Sequence, residues 1–409
     1  MSFEQGLSGL NASSKNLDVI GNNISNASTV GFKQATTQFA DVYANSVYGS
    51  GGLQTGIGTK VAAVAQQFTQ GNTTVTNNPL DVAINGDGFF KLNDNGSTTY
   101  SRNGQFHLDA NGYLVNSTGQ NVVGYTSLTT NASGGVTSVS SPGNIQIDLN
   151  NLAPQATSTL STAVNLNATS AAASGTFDPA NSSTYNYSTT ATVYDTQGAS
   201  HSLTLYFSKS STANTWAVNA TVDGVSGTVS PSAIPLTFDA SGQLTSPTSA
   251  TSLTFGALST GATLGPVAWD LTGSTQVAGK SGVNSISQDG YAQGQIVGVS
   301  IDSSGIIYGR YSNNLSRPLQ QLQLASFRNP NGLIPLGDNQ WAASQAAGSE
   351  VINTPGVGIA GTVQSGATED SNVDLTNELV NMIVAQRQYQ ANAQTIKAED
   401  TIMQTLVNL

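Results

Sequence analysis

Apolar residues near the start of the chain return at alternating intervals of four and three. Phe3, Leu7, Leu10, Leu17 and Ile24 hold such positions, and Ser14 and Gly21 fill the two places left in the seam. The spacing predicts a helix over 2–27 with a coiled-coil-like stripe, two of whose positions are small. Ser2 and Gln5 have the spacing of a capping box. Gly21 inside the pattern implies a weak turn or a closely approaching backbone. The other end carries a stronger pattern behind a Ser371/Asp374 cap. Leu375, Leu379, Met382, Gln386, Tyr389, Ala393, Ile396, Asp400, Met403 and Val407 follow the same rule. Val380, Ile383, Val384, Ile402, Leu406 and Leu409 widen the stripe, so this helix needs more than one neighbour.

Between the two ends the period changes to two. Asn95-Gly96, Asn103-Gly104 and Asn111-Gly112 recur at equal intervals between β-prone pieces, which predicts tight turns in an antiparallel meander. "HSLTLYF" puts Leu203, Leu205 and Phe207 on one face, and "NTWAVNATV" does the same with Trp216, Val218 and Val222. The expected fold is mainly β with long terminal α-helices that form a coiled coil, and two β-rich domains, the outer inserted in the inner. In that division 1–30 and 372–409 are the helical polymerisation part. Residues 31–71 and 359–371 are linkers, the first with one short strand at 61–68. Residues 72–150 with 285–358 make the inner β-domain, and 151–284 the outer one.

Composition narrows the chemistry. Charged residues are only 9% of the chain, against roughly 25% in ordinary domains. The 12 basic residues against 23 acidic ones form no cluster, so no nucleic-acid surface is expected. Without cysteine there is no disulfide framework and no thiol chemistry. The first residues lack the pattern of a secretory signal, and no segment has the length of a membrane span. His107 and His201 stand alone without metal-ligand spacing, and each reads as a residue on a strand face. The segment around Lys280 misses the glycine spacing of a P-loop. No cofactor, metal or catalytic residue is expected.

Two long motifs remain, one at each end. The first runs Ser8-Gly9-Leu10-Asn11-Ala12, then Leu17 to Asn26 ("LDVIGNNISN"), then Thr29-Val30-Gly31-Phe32-Lys33. The second runs Ser371 to Leu375, Glu378 to Ile383 and Gln386 to Gln390. With the internal "DVAINGDGFFKL" and "YSRNGQFHLDANGYLVN", these cover about half the chain and resemble the rod–hook family of axial flagellar proteins. The resemblance implies a non-enzymatic hook subunit that assembles into a curved tube and acts as a universal joint. A distal rod subunit is the alternative, favoured by "GGLQTGIG" but not by the long middle segment, and a surface adhesin is a third reading. The implied partners are further copies of the chain, the rod, the hook cap, the hook–filament junction proteins and the type III export apparatus. Implied placement is the extracellular flagellum, reached without signal cleavage. The polymerisation interface expected from the stripes comprises Leu7, Leu10, Leu17, Ile24, Leu375, Leu379, Met382, Ile383, Tyr389, Ile396, Met403 and Leu406. These helices are expected to order only against partners.

Overall fold

The computed structural model describes residues 2–42, 56–130, 136–225, 227–256 and 261–407. Two compact units share the chain. The first comprises 1–149, 298–310 and 316–409, and the second 150–297 with 311–315.

In the first unit, helix α1 (Ser2–Ser25) and helix α2 (Leu375–Val407) are the two long helices. Asp374 is the N-cap of α2: its Oδ1 accepts from the backbone N–H of Thr376 and Asn377 at 2.9 and 3.1 Å. Ser371 instead accepts from Val373 just outside the helix. Gln5 does not cap α1 either, since its amide donates to the carbonyl of Gly56 at 2.6 Å.

The two segments expected to be linkers are sheet. Strands β1 (Ala35–Val42) and β2 (Gly58–Gln66) pair antiparallel from Ala35↔Gln66 to Val42↔Gly58, with a bulge at Gln38/Phe39. Residues 43–55, where the glycine-rich stretch was expected to act as a linker, lie outside the described residues. Toward the other end, Thr362–Ser365 pairs with Val82–Asn85 and Ala367–Glu369 with Thr73–Val75. Hairpin and ladders satisfy backbone groups that a free linker would leave to water.

The body of this unit centres on Phe89, Tyr100, Phe327, Leu333 and Trp341, with Phe68 packed against them. Phe68, Phe89 and Trp341 meet edge to face at 5.5–5.7 Å between ring centroids. Of the three evenly spaced Asn-Gly pairs, Asn95-Gly96 and Asn111-Gly112 turn hairpins, between Phe89–Asp94 and Ser97–Ser101 and between His107–Leu108 and Leu114–Val115. Asn103-Gly104 does not. Gly104 lies flat against Val82, whose carbonyl would stand 1.8 Å from an added Cβ, so this glycine serves close packing.

The second unit holds two sheets around one core. Tyr187–Tyr194, Ser200–Lys209, Thr215–Val222, Ile234–Phe238 and Leu244–Ser246 form one sheet in that order. In the other, Thr159–Asn167 is central. It pairs parallel with Val267–Asp270 and Thr275–Val277 and antiparallel with Gly282–Gln288. Leu203, Leu205, Phe207, Trp216 and Val218 of the first sheet bury against Leu160, Val164, Leu166 and Trp269 of the second. Strand Gly282–Gln288 carries this unit beyond the boundary expected at 284, because its ladder partner is Thr159–Asn167.

Candidate self-assembly interface

The helix pair is joined by small and amide-bearing residues. Gly6 lies under Ile396, whose Cγ1 would be 2.9 Å from an added Cβ, and Gly9 lies equally close to the Asn392 side chain. Asn392 donates to the Ser13 hydroxyl at 3.2 Å. Ala12 and Ala385 are both buried. At the other end Asn23 donates to Glu378 at 2.6 Å. Gly6 meets Ile396 while Asn23 meets Glu378, so the helices run antiparallel. Two glycines inside a helix cost about 1 kcal/mol each against Ala. They are tolerated because the distance between helix axes shrinks when the contacting side chains are small.

This contact row is displaced by one residue from the stripe expected in the sequence. Glu378, Ala385 and Asn392 take the places foreseen for Leu379, Gln386 and Ala393, and Gly6, Ser13 and Ile20 replace Leu7, Ser14 and Gly21. Nothing among the described residues lies within 4 Å of an added Cβ at Gly21, so no second element is seen to approach it closely. Of the expected interface residues, Leu10, Leu17, Ile24, Met382 and Ile396 are half-buried. Leu7, Leu375, Leu379, Ile383, Tyr389 and Met403 are exposed, as are Val380, Val384 and Ile402. The side chain of Leu406 lies outside the described ones. Within one chain, most of the apolar stripe of α2 is left in water along a helix of 33 residues, or roughly 50 Å.

Two side-chain clusters seat this pair on the β-rich body. Glu378 is buried in the first turn of α2, where the helix dipole favours its charge. It accepts from Asn23, Gln34 and Asn381. The Asn23 amide also bonds the backbone of Ala35 in both directions, at 2.8 and 3.0 Å, and so starts strand β1. Asn372 does similar work beside it, accepting from Gln34 N–H and donating to the carbonyls of Gln67 and Thr69. Both asparagines stand in the terminal motifs, and a search for apolar stripes passes over them.

The second cluster is a buried charge triad. Lys33 and Arg102 both pair with Glu369, at 2.5 and 3.3 Å, and all three side chains are almost inaccessible. Burial pulls the Lys33 ammonium below the usual lysine range, although the Glu369 carboxylate works against that shift. Burial lowers Arg102 as well, opposed by Glu369 and Asp87. Lys33 also donates to the carbonyl of Thr69, and Arg102 to that of Gly86. Gly31 brings the chain into this site with φ +73°, where an added Cβ would stand 2.7 Å from the Asn103 nitrogen. That explains the glycine of "TVGFK".

A cavity of about 450 Å³ opens between the helices and the hairpin, lined by Gln5, Ser13, Asn16, Thr59, Gln388 and Asn392 among others. Amides and hydroxyls line it together with Ala12, Phe39 and Ala385, and among the described residues no ionisable group does. Among the described residues no helix is long and apolar enough to cross a membrane.

A β-rich body carrying paired terminal helices, whose wider apolar face is exposed, has the architecture of a structural protein. Comparison with known proteins names the kind. The family described as flagella basal body rod protein matches residues 3–33, and the rod protein C-terminal family matches 364–409. The flagellar hook protein FlgE/F/G D1 domain matches 83–157, and the FlaE D2 domain matches 165–291. Flagellar hook protein FlgE of Escherichia coli is 43% identical, and that of Salmonella typhimurium 44%, each across the whole of both chains. That of Rhizobium meliloti is 34% identical over 99% of this chain and 97% of its own. The chain belongs to the flagellar hook protein family. The crystal structure of Helicobacter pylori flagellar hook protein FlgE2 shares the fold at a TM-score of 0.54, with 16% identity, covering 72% of this chain and all of that one.

Proposed function

We propose that the chain is the repeating subunit of the bacterial flagellar hook, assembling with copies of itself into a curved tube that bends while transmitting torque from rod to filament. The observation that carries this reading is the division of α2 into two faces. One is occupied by α1 through Glu378, Ala385, Asn392 and Ile396. The other exposes Leu375, Leu379, Val380, Ile383 and Val384. A solvent-facing apolar row of that length is costly unless neighbouring subunits cover it. In the assembled tube the terminal helices form the coiled coil, 150–297 stands as the outer domain, and the expected residues Leu7, Leu379, Ile383, Tyr389 and Met403 face other copies.

Rod, cap and hook–filament junction proteins would meet the tube at its ends. The chain would reach the outside through the type III apparatus. Full-length alignment with hook proteins, long middle segment included, favours the hook over the distal rod. Negative-stain microscopy of concentrated full-length protein tests the reading. Regular tubes are expected, and a strictly monomeric solution at every concentration would refute it.

A further inference from the structure

The second unit contains a charge site that the polymer reading does not use. His201 opens strand Ser200–Lys209 on the same face as Leu203, Leu205 and Phe207, at the end of the core, and is buried. Its Nδ1 lies 2.7 Å from Asp223 Oδ2, and its Nε2 lies 3.2 Å from Asp195 Oδ2. Backbone donors aim both carboxylates at the ring. Ser202 N–H holds the other oxygen of Asp223, and Gln197 and Ala199 N–H hold that of Asp195. An ionised carboxylate only accepts, so the ring satisfies both contacts only with a proton on each nitrogen.

The site is tied to the place where the chain enters and leaves this unit. The entering and leaving segments pair through mutual backbone bonds, Leu152 with Gly294 and Gln155 with Tyr291, and form a two-stranded neck. Tyr194, next to Asp195, donates to the Thr157 hydroxyl at 2.9 Å and accepts from Thr157 N–H. Thr157 packs on Gly290, where an added Cβ would meet its hydroxyl at 2.3 Å. Gly198, in the loop that Asp195 organises, rests on Pro154 in the same way, at 2.6 Å. A chain of contacts thus runs from ring to carboxylate, to loop, to neck.

We propose that His201 is held as a doubly protonated imidazolium that clamps the two-stranded neck of the second unit, and that loss of one ring proton loosens the neck. Asp195 and Asp223 are the ionisable groups that face the ring. The neck's own carboxylate, Asp289, is bonded to Ser158 and Thr159. Burial alone would lower the ring's pKa, but hydrogen bonds to Asp223 and Asp195 outweigh it and raise it above the usual histidine value. The folded pKa therefore lies above the unfolded value of about 6.5. The clamp is at full strength below that pH and is lost as pH rises through the folded value.

The chain has two histidines, so ring nuclear magnetic resonance of labelled full-length protein is simple to assign. At pH 6.5, the ordinary histidine value, both ring nitrogens of His201 should still carry protons. As the ring titrates, amide protection factors at 195–199 and at both neck segments, 152–157 and 289–294, should fall at least tenfold. Protection at Ile234–Phe238 should stay constant. A bare nitrogen on most of the His201 population at pH 6.5 would overturn the proposal, as would neck protection that is unchanged through the titration. His201→Gln should show the loosened neck already at pH 6 with no further pH dependence. Wild-type neck protection in that variant would also overturn it. If the variant does not fold, the titration of the natural chain decides.

Discussion

Truncating Ile383 tests whether the exposed face of α2 is the one proposed to meet neighbouring subunits. Its side chain is 51% exposed in the single chain. Full burial of an isoleucine is worth about 1.5–3 kcal/mol, so covering the exposed half during assembly should contribute about 1 kcal/mol per subunit. Ile383→Ala should then raise the critical concentration for tube formation about fivefold, since about 1.4 kcal/mol is a factor of ten. Ile383→Asp should abolish tubes, because a desolvated carboxylate costs several kcal/mol more. Neither change should alter the unfolding free energy of the dilute monomer by more than ~0.5 kcal/mol, the usual limit for surface positions. Sedimentation of polymer from a concentration series reads the first quantity, and urea unfolding of the monomer reads the second. Unchanged critical concentrations in both variants would refute the assignment of this face to neighbouring copies. A destabilised monomer would show instead that Ile383 packs within the chain.

Ile396→Asp should act in the opposite order, since Ile396 lies on Gly6: the monomer should lose helical circular dichroism and amide protection over 2–25 before assembly is considered. Glu369→Met should destabilise the first unit by about 3–5 kcal/mol, the cost of removing one partner of a buried ion pair, because it strands both Lys33 and Arg102. Its unfolding should be read by amide exchange at Thr69–Gly71, and adding Lys33→Met should recover part of the loss by removing one of the two stranded cations.

The helices could be located from the sequence, and so could the alternation that buries Leu203, Leu205, Phe207 and Trp216. The phase of the helix contact could not. Stripe-reading ranks positions by apolar content, and here Gly6, Ser13, Asn23 and Glu378 carry much of the contact beside Ile396, while Leu7, Leu379 and Ile383 face out. Nor could the strands at Ala35–Val42 and Thr362–Glu369 be seen. Their Thr, Gln and Gly content reads as linker, and the partner of Thr73 is Glu369, far beyond any local window. Asn103-Gly104 carries the signal of a turn, but its glycine is there for close contact with Val82, which no dipeptide rule encodes. His201 did leave a trace, because it shares the parity of the buried leucines on its strand. A polar residue at an inward position requires partners. Those partners, Asp195 and Asp223, come from two different turns and meet only in the folded sheet.

The two faces of α2 differ in what they fix as well as in what they touch. A one-residue slip between α1 and α2 would take Glu378 away from Asn23 and Asn392 away from Ser13. It would strip the buried Glu378 carboxylate of its Asn23 donor, at a cost of about 1–3 kcal/mol. Register inside the subunit is therefore set by polar contacts that allow one solution. The outward row offers mainly aliphatic and thioether surface, with the Tyr389 ring among it, and its attraction depends on area and has no preferred direction. A neighbour sliding along Leu379, Ile383 and Val384 exchanges one apolar contact for another. On the proposed function this is the required combination. Each row of subunits in a rotating curved tube must lengthen and shorten on every turn while each subunit keeps its own shape. Rigid polar bonding within the chain and slippery apolar contact between chains satisfy both demands with one helix.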